Sequence, residues 1–414
     1  MGFVTYGANG KTAESYKKRF KNKNHNEEYN YEDLWGSLFR SKDSPLPNPI
    51  TSAHRIVVVD ADAIVYRISA ACDKKGVIAT VLGEEVTFKT KTKLKEYCGK
   101  VGVDFKTVEY EDTLVVTDVE TAYRTIRNTV AKIYRELNAT HVIFLLGGSY
   151  NFRSDLKLPF KYKSKRKATK RPEHLPACRE YLNAHYDTYL VSGIEADDAV
   201  QGITEHLINN TPAYACAYQI DKDFHTSMTP NRYWHIDKRC IVEIAGGLGS
   251  LYLSGADVRG DGLHWVLFQL LQGDPTDGFT PKDLFLPEFK GKYGEKSYMK
   301  DFVDYRDSTE LLLRWIEKWQ ELLPEVITFE DFEGEVQQHD WLSIAEIYFQ
   351  CLYMRISPWD DMSFEKLLLK HGIGVNSQTK RVERFEVPES EKIKLVVVEE
   401  VPEAEPEIIE DWEW

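Results

Sequence analysis

Four groups of acids stand at short spacing along the chain: Asp60/Asp62, Glu195-Ala-Asp197-Asp198, Asp221/Asp223 and Asp274/Asp277. Each follows or adjoins an apolar run. Such groups offer only hard oxygen donors, with no His or Cys among them. That is the donor chemistry of Mg2+ or Mn2+ and not of Zn2+. Two ions about 4 Å apart can activate a water and stabilise the leaving oxygen of an in-line displacement at phosphorus. Between the first two groups lies the most basic stretch of the protein. Residues 151–171 carry nine Lys/Arg against one acid, Asp155, a balance of +8. That exceeds what solubility needs and fits contact with phosphates.

Each motif also has a plainer reading. Asp60 suits a helix N-cap, and Asp62 suits any first helical turn, where it complements the dipole. Asp221-Lys222-Asp223 fits a strand-end turn, and Gly273-Asp274-Pro-Thr-Asp277-Gly278 a tight loop. Three acids within four residues at 195–198 exceed what a cap requires. Concentrated anions are costly unless cations neutralise them. The joint pattern therefore favours metal over four separate caps. Phe160 and Tyr162 fit two roles, stacking on unpaired bases or anchoring the basic segment to the core.

The surrounding pattern predicts how these residues are held. Ile56–Val59 is a β-branched run of the kind buried on both faces of a parallel sheet, and His141–Leu146 is a second. Thr188–Val191 and Tyr214–Ile220 read as further strands, with a helix at Asp197–Ile208 between them. Val119, Ala122, Tyr123, Ile126, Val130, Ile133, Tyr134 and Leu137 recur at helical spacing. Val77–Lys91 reads as a hairpin. The fold class is α/β with a mainly parallel central sheet. Residues 1–50 read as a polar extension with a short helix at Tyr31–Phe39, ahead of a core over 51–275. A mainly helical region follows over 276–378, and an acidic segment over 379–414, expected to be disordered.

The chain has 414 residues and a net charge of −13, with eight acids and no base in 399–414. Charge distribution matters more than its sum for nucleic-acid contact. The six cysteines are scattered, with no Cys-x-x-Cys, which argues against zinc and against a disulfide framework. No apolar run approaches the roughly 20 residues needed to span a bilayer. The N-terminus lacks a signal-peptide core, and a cytoplasmic location is expected.

Taken in order, several motifs resemble the 5′-nuclease superfamily, which includes flap endonucleases, the 5′-nuclease domain of bacterial DNA polymerase I and phage 5′→3′ exonucleases. They are Val57-Val-Val-Asp60, Asn151-Phe-Arg153, Tyr162-Lys163-Ser-Lys-Arg166, Gly193-Ile-Glu195-Ala-Asp197-Asp198, Asp221-Lys-Asp223 and Gly273-Asp274-Pro-Thr-Asp277. Trp265-Val-Leu-Phe268-Gln, running into the last of these, is most similar to the exonucleases of podovirus-type phages. The resemblance covers about 54–280, with a fainter echo near Gln350–Trp359.

The resemblance implies that Asp60, Glu195, Asp197 and Asp198 line the tighter of two metal sites, and that Asp221, Asp223, Asp274 and Asp277 form the second. It implies that Lys163 and Arg166, on a helical arch at about 155–185, grip the scissile phosphate, with Arg153 facing the same phosphates. Lys161, Tyr162, Lys165, Lys167, Lys170 and Arg171 would add nucleic-acid contacts. The implied activity is Mg2+- or Mn2+-dependent 5′→3′ exonuclease or flap-endonuclease cleavage in phage replication, in the host cytoplasm. The implied partner is DNA with a 5′ single-stranded end, flap or nick, with RNA primers as a further substrate class. The acidic tail is a candidate dock for a replication partner.

There are two departures. The family's acid at the end of its second core strand is replaced by Leu145-Leu-Gly147-Gly148-Ser149, leaving Asp62 or Asp155 to compensate. The Gly-rich helix–hairpin motif after Asp277 is degenerate. Two rival readings follow. One is a haloacid-dehalogenase-type phosphatase with Asp60 as nucleophile and Asp274–Asp277 as its late acidic motif, which leaves Glu195-Ala-Asp197-Asp198, Asp221-Lys-Asp223 and the basic stretch unexplained. The other is a branched-DNA binder that has lost catalysis.

Overall fold

A computed structural model describes residues 27–164, 170–275, 277–376 and 378–386. Its centre is a seven-stranded sheet in the order β1-β7-β6-β2-β8-β9-β10. These are β1 (Glu28–Tyr29), β2 (Arg55–Asp60), β6 (His141–Asn151), β7 (Thr188–Gly193), β8 (Tyr214–Gln219), β9 (Asn231–His235) and β10 (Cys240–Ile244). All neighbours pair parallel except β9 and β10. The mainly parallel α/β expectation is borne out.

Alternation along β2 explains the layers. Val57 and Val59 face α2 (Ala61–Cys72), α4 (Val119–Glu136) and α5 (Leu175–His185), whose Ile64, Ile126 and Cys178 complete one apolar layer. Ile56 and Val58 face α1 (Tyr31–Phe39) and α6 (Ala196–Asn210), with Leu34, Leu38 and Ala199 in the other layer. Burying each such side chain contributes about 1.5–3 kcal/mol, so both faces must be covered, as the β-branched run predicts.

Two sequence expectations need correction, and a third, the hairpin, is present but extended by another strand. Residues 28–39 are not an extension: Glu28 and Tyr29 pair with Leu190 and Val191, and Leu34 and Leu38 are fully buried. The apolar residues of α1 recur at helical spacing, and that stripe docks on the sheet. The hairpin of β3 (Asp73–Val81) and β4 (Glu84–Phe88) is part of a three-stranded antiparallel sheet. Its third member is β5 (Tyr110–Val116), and α3 (Lys91–Val101) covers one face through Leu94 and Cys98. Finally, the second half of the expected arch, α5, is a core helix, because Cys178 and Leu182 are completely buried.

A hairpin of β11 (Ser250–Ser254) and β12 (Asp257–Asp261) leads into the apolar helix α7 (Gly262–Gln272). It packs with α8 (Glu295–Phe302), α9 (Ser308–Leu322), α10 (Trp341–Leu352) and α11 (Phe364–Lys370) around Trp315 and Trp319. The indole N–H groups of those tryptophans donate to Leu267 O and Trp341 O at 2.9 and 3.0 Å. Two small hairpins complete this region: Ile327–Glu330 with Val336–His339, and Ile373–Val375 with Val382–Arg384. Residues 382–384 are thus paired rather than part of a tail. The expected disorder over 387–414 lies outside the described residues. Among the described residues no helix is long and apolar enough to cross a membrane.

Candidate active site

Chain order fixes where the crevice lies. From β2 the chain builds outward through β6 and β7, then α6 carries it back across to β8 on the other side of β2. Direction reverses between β2 and β8, and in open α/β sheets ligands sit at the carboxyl ends of strands at such a reversal. Asp60 ends β2 there, and Asp221 follows β8.

Asp60 caps α2: the amides of Asp62 and Ala63 donate to its Oδ1 at 3.1 and 3.4 Å. Burial, then the charges of Asp62 and Asp221, push its carboxyl up to about 7 despite those hydrogen bonds. Asp221 caps the 3-10 turn Lys222–Thr226 by accepting from the Asp223 amide at 3.0 Å. Asp223 is also pushed up to about 7, by burial and then by Asp221. Gln269 of α7 donates to its Oδ1 at 3.1 Å. Both acids are caps, so the plain reading is correct as far as it goes, but capping does not account for the mutual repulsion.

The Glu195–Asp198 motif starts α6 after Gly193, whose φ of +87° suits glycine. Glu195 and Asp198 form a reciprocal capping box. Asp197 is raised well above the ordinary carboxylate range by burial and by the charge of Glu195. Burial would raise Glu195 as well, but Lys163 and Arg153 hold it below its usual value. Asp198 differs: both its oxygens accept from Arg153, at 2.6 and 2.8 Å. Arg153 also donates to Gln350 O at 3.1 Å and Tyr353 O at 2.7 Å, and is only 2% exposed. The expectation that Arg153 faces substrate phosphates is therefore corrected, since the guanidinium is spent inside the protein. Asp198 also accepts from the Glu195 amide at 3.1 Å, so both its oxygens are engaged inside the protein.

Asp274 and Asp277 sit in the tight loop after α7, where Gly273 and Gly278 have φ of +78° and +88°. Lys222 donates to Asp274 Oδ2 at 2.8 Å. Tyr162 Oη donates to Glu195 Oε2 at 3.0 Å and Asp277 Oδ2 at 3.2 Å, and its ring is buried. Of its two open roles, the structure shows the anchor. Lys163 pairs with Glu195 and lies 3.7 Å from Asp277, while its own amide donates to Asp277 O at 2.8 Å. It adopts φ +55°, a left-handed conformation costing about 1–2 kcal/mol for a side-chain-bearing residue. The basic stretch thus begins stapled to the acid cluster. Lys161, Lys170 and Arg171 are exposed, and Lys161 lies over the Phe332 ring. Lys165, Arg166 and Lys167 lie outside the described residues.

The gap left by Gly147 and Gly148 is filled from elsewhere. Asp62 Oδ2 accepts from the Gly147 amide at 2.6 Å and lies 3.0 Å from where a Gly147 Cβ would stand. Arg179 of α5 bridges Asp62 and Gly147 O. Glu28 accepts from the Ser149 amide and hydroxyl at 2.9 and 2.8 Å. Asp155, the other candidate, accepts from Tyr150 instead. Sequence reasoning missed Glu28, Arg179, Lys222 and Gln269. Only Lys222, set between Asp221 and Asp223, carried a local signal.

Asp221 acts electrostatically on both Asp60 and Asp223, Asp277 acts on Asp223, and Tyr162 joins Asp277 to Glu195 beside Asp197. Acids from four separate chain segments therefore form one connected cluster. Among the described residues no three His, Cys, Asp or Glu stand at ion-holding spacing. The donor set nevertheless fits a divalent cation: it is all oxygen, and three of its acids are raised by burial among like charges.

No protein-family model matches the chain, and no curated protein matches it. Two solved structures similar to it come from bacteriophage T5. One is a 5′-exonuclease with divalent zinc ions bound, 16% identical, with 73% of this chain and 88% of that chain covered and a TM-score of 0.37. The other is a flap endonuclease in a pseudo-enzyme–product complex with DNA and metal ions, 14% identical, with 73% and 88% covered and a TM-score of 0.34.

Proposed function

We propose that this protein is a divalent-metal-dependent 5′-nuclease that cleaves DNA bearing a 5′ single-stranded end, flap or nick, in a replication role of the phage type. The observation that supports this best is the connected acid cluster at the sheet's reversal point, with the basic stretch fastened to it through Tyr162 and Lys163. Asp60, Asp197, Asp221 and Asp223 would hold Mg2+ or Mn2+, with Glu195, Asp274 and Asp277 beside them. When bound, the metal supplies Lewis acidity and an activated water for phosphodiester hydrolysis. The chain's own residues do the rest. Tyr162 fixes the facing of Glu195 and Asp277. Lys163, held within the cluster, offers its ammonium to the scissile phosphate. Arg153 locks Asp198 and with it the start of α6. Lys161, Lys165, Arg166, Lys167, Lys170 and Arg171 supply phosphate contacts.

The test is cleavage mapping of nicked, 5′-flapped and RNA-tailed duplexes with Mg2+, Mn2+ or chelator. Metal-dependent products at or near the junction support the reading. Tight binding with no cutting in either metal would overturn it in favour of a non-catalytic branched-DNA binder. Turnover of small phosphate esters through a phosphoenzyme would overturn it in favour of a phosphatase.

A further inference from the structure

A second cationic surface lies outside the acid cluster. On the three-stranded sheet, a groove of about 820 Å3 runs along β3 and β5. Lys75, Lys89, Lys91 and Lys170 line it with a single acid, Asp112, over a floor that includes Leu114. Lys75 and Leu114 are direct cross-strand partners, so they project from one face of the sheet. Lys75, Lys89 and Lys170 are exposed and form no ion pair among the described residues. Lys91 pairs with Asp112 at 3.4 Å, but both side chains are mostly solvated, a setting in which such a pair holds weakly. Leu114, in the same lining, is 41% exposed.

The groove is continuous with the basic stretch, since Lys170 belongs to both. Just beyond it the chain is tied to the small sheet. The Glu173 amide donates to Asp73 at the start of β3 at 3.1 Å, and His174 Nε2 lies 2.6 Å from Thr117 O after β5. The small sheet is therefore tied to the chain just beyond Arg171, at Glu173 and His174.

We propose that this groove is an accessory track for the sugar–phosphate backbone of the substrate, extending the nucleic-acid surface from the basic stretch onto the three-stranded sheet. The inference rests on the nuclease reading above. The chemistry favours a polyanion: four lysines oppose one acid, and three have no protein partner among the described residues. The exposed Leu114 accommodates the apolar face of a sugar or base, which a compact inorganic anion would not use.

The experiment is fluorescence anisotropy with the full chain, a labelled 5′-flap DNA and chelator present, over a series of salt concentrations. Lys75→Ala/Lys89→Ala is expected to weaken binding about fivefold or more and to make the log–log salt slope shallower by about two. Lys292→Ala/Lys296→Ala, an equal charge change on the exposed surface of the C-terminal region, is expected to match wild type. Repeating the titration with the 5′ tail alone and the duplex alone identifies which part of the substrate lies in the groove. If wild type binds the flap and Lys75→Ala/Lys89→Ala binds with the same affinity and slope, the inference falls while the nuclease reading stands. If wild type neither binds nor cuts the flap, the nuclease reading falls and takes the inference with it.

Discussion

The Arg153 guanidinium and the Asp198 carboxylate meet through two parallel hydrogen bonds, 2.6 and 2.8 Å long, with both side chains almost wholly removed from water. Removing one partner of such a pair leaves an uncompensated buried charge. Arg153→Ala is expected to lower unfolding free energy by about 3–5 kcal/mol, read by urea denaturation. Arg153→Lys should recover only part of this, because an ammonium cannot form the fork. A near-neutral effect on stability would return Arg153 to a phosphate-facing role.

Asp197→Asn removes a charge from the centre of the cluster and keeps the shape. Cleavage of a flap substrate should fall by several orders of magnitude while DNA affinity stays within a few-fold of wild type. Retained cleavage would remove Asp197 from the metal-holding set.

Lys163→Ala combined with Arg166→Ala should slow cleavage strongly and make the salt slope of binding shallower by about one to two. Single-turnover rates and salt titrations read both effects. An unchanged rate and slope would refute phosphate contact by this part of the basic stretch.

Glu205 gives a pH prediction away from the cluster. It is buried in α6 beside Ser227, and burial pushes its carboxyl up to about 7 from an ordinary 4.5. A folded value above the unfolded one adds stability that is fully present below about 4.5 and lost as pH rises through about 7. Across that window wild type should lose roughly 3 kcal/mol more than Glu205→Gln, by the conversion of about 1.4 kcal/mol per pKa unit. Denaturation of both proteins at pH 5 and pH 8 measures the difference, and parallel losses would dissociate Glu205 from the effect.

Gly202 tests the docking of α1. A Cβ there would stand 2.2 Å from the Tyr31 hydroxyl and 2.5 Å from Ile356 O. Gly202→Ala should destabilise by about 1–3 kcal/mol, although alanine is the better helix former by about 1 kcal/mol. A stabilised variant would show that α1 is not seated there.

The central strands and long helices were legible because their signals are local. Four consecutive apolar residues made β2, and helical spacing marked α4. The acids of the cluster were legible because strand ends and helix starts announce themselves in sequence. What was hidden depends on distant partners. The fate of Arg153 was decided by Asp198 and by carbonyls at 350 and 353, and nothing near residue 153 signals them. Strand β1 has two residues, too few for a periodicity, and its place comes from register with Leu190 and Val191. The polar faces of β5 and α3 masked a small sheet whose core is only a few side chains deep. Tyr162 was ambiguous because an aromatic among lysines suits a stack on bases as well as an anchor, until its hydroxyl is seen between two carboxylates.

The backbone bond from Lys163 N to Asp277 O, 2.8 Å long, joins the basic stretch directly to the loop that carries Asp277. A substrate strand drawn along the lysines would, under the proposed function, pull on the loop that carries Asp277 and so couple tension in the strand to the aim of that carboxylate.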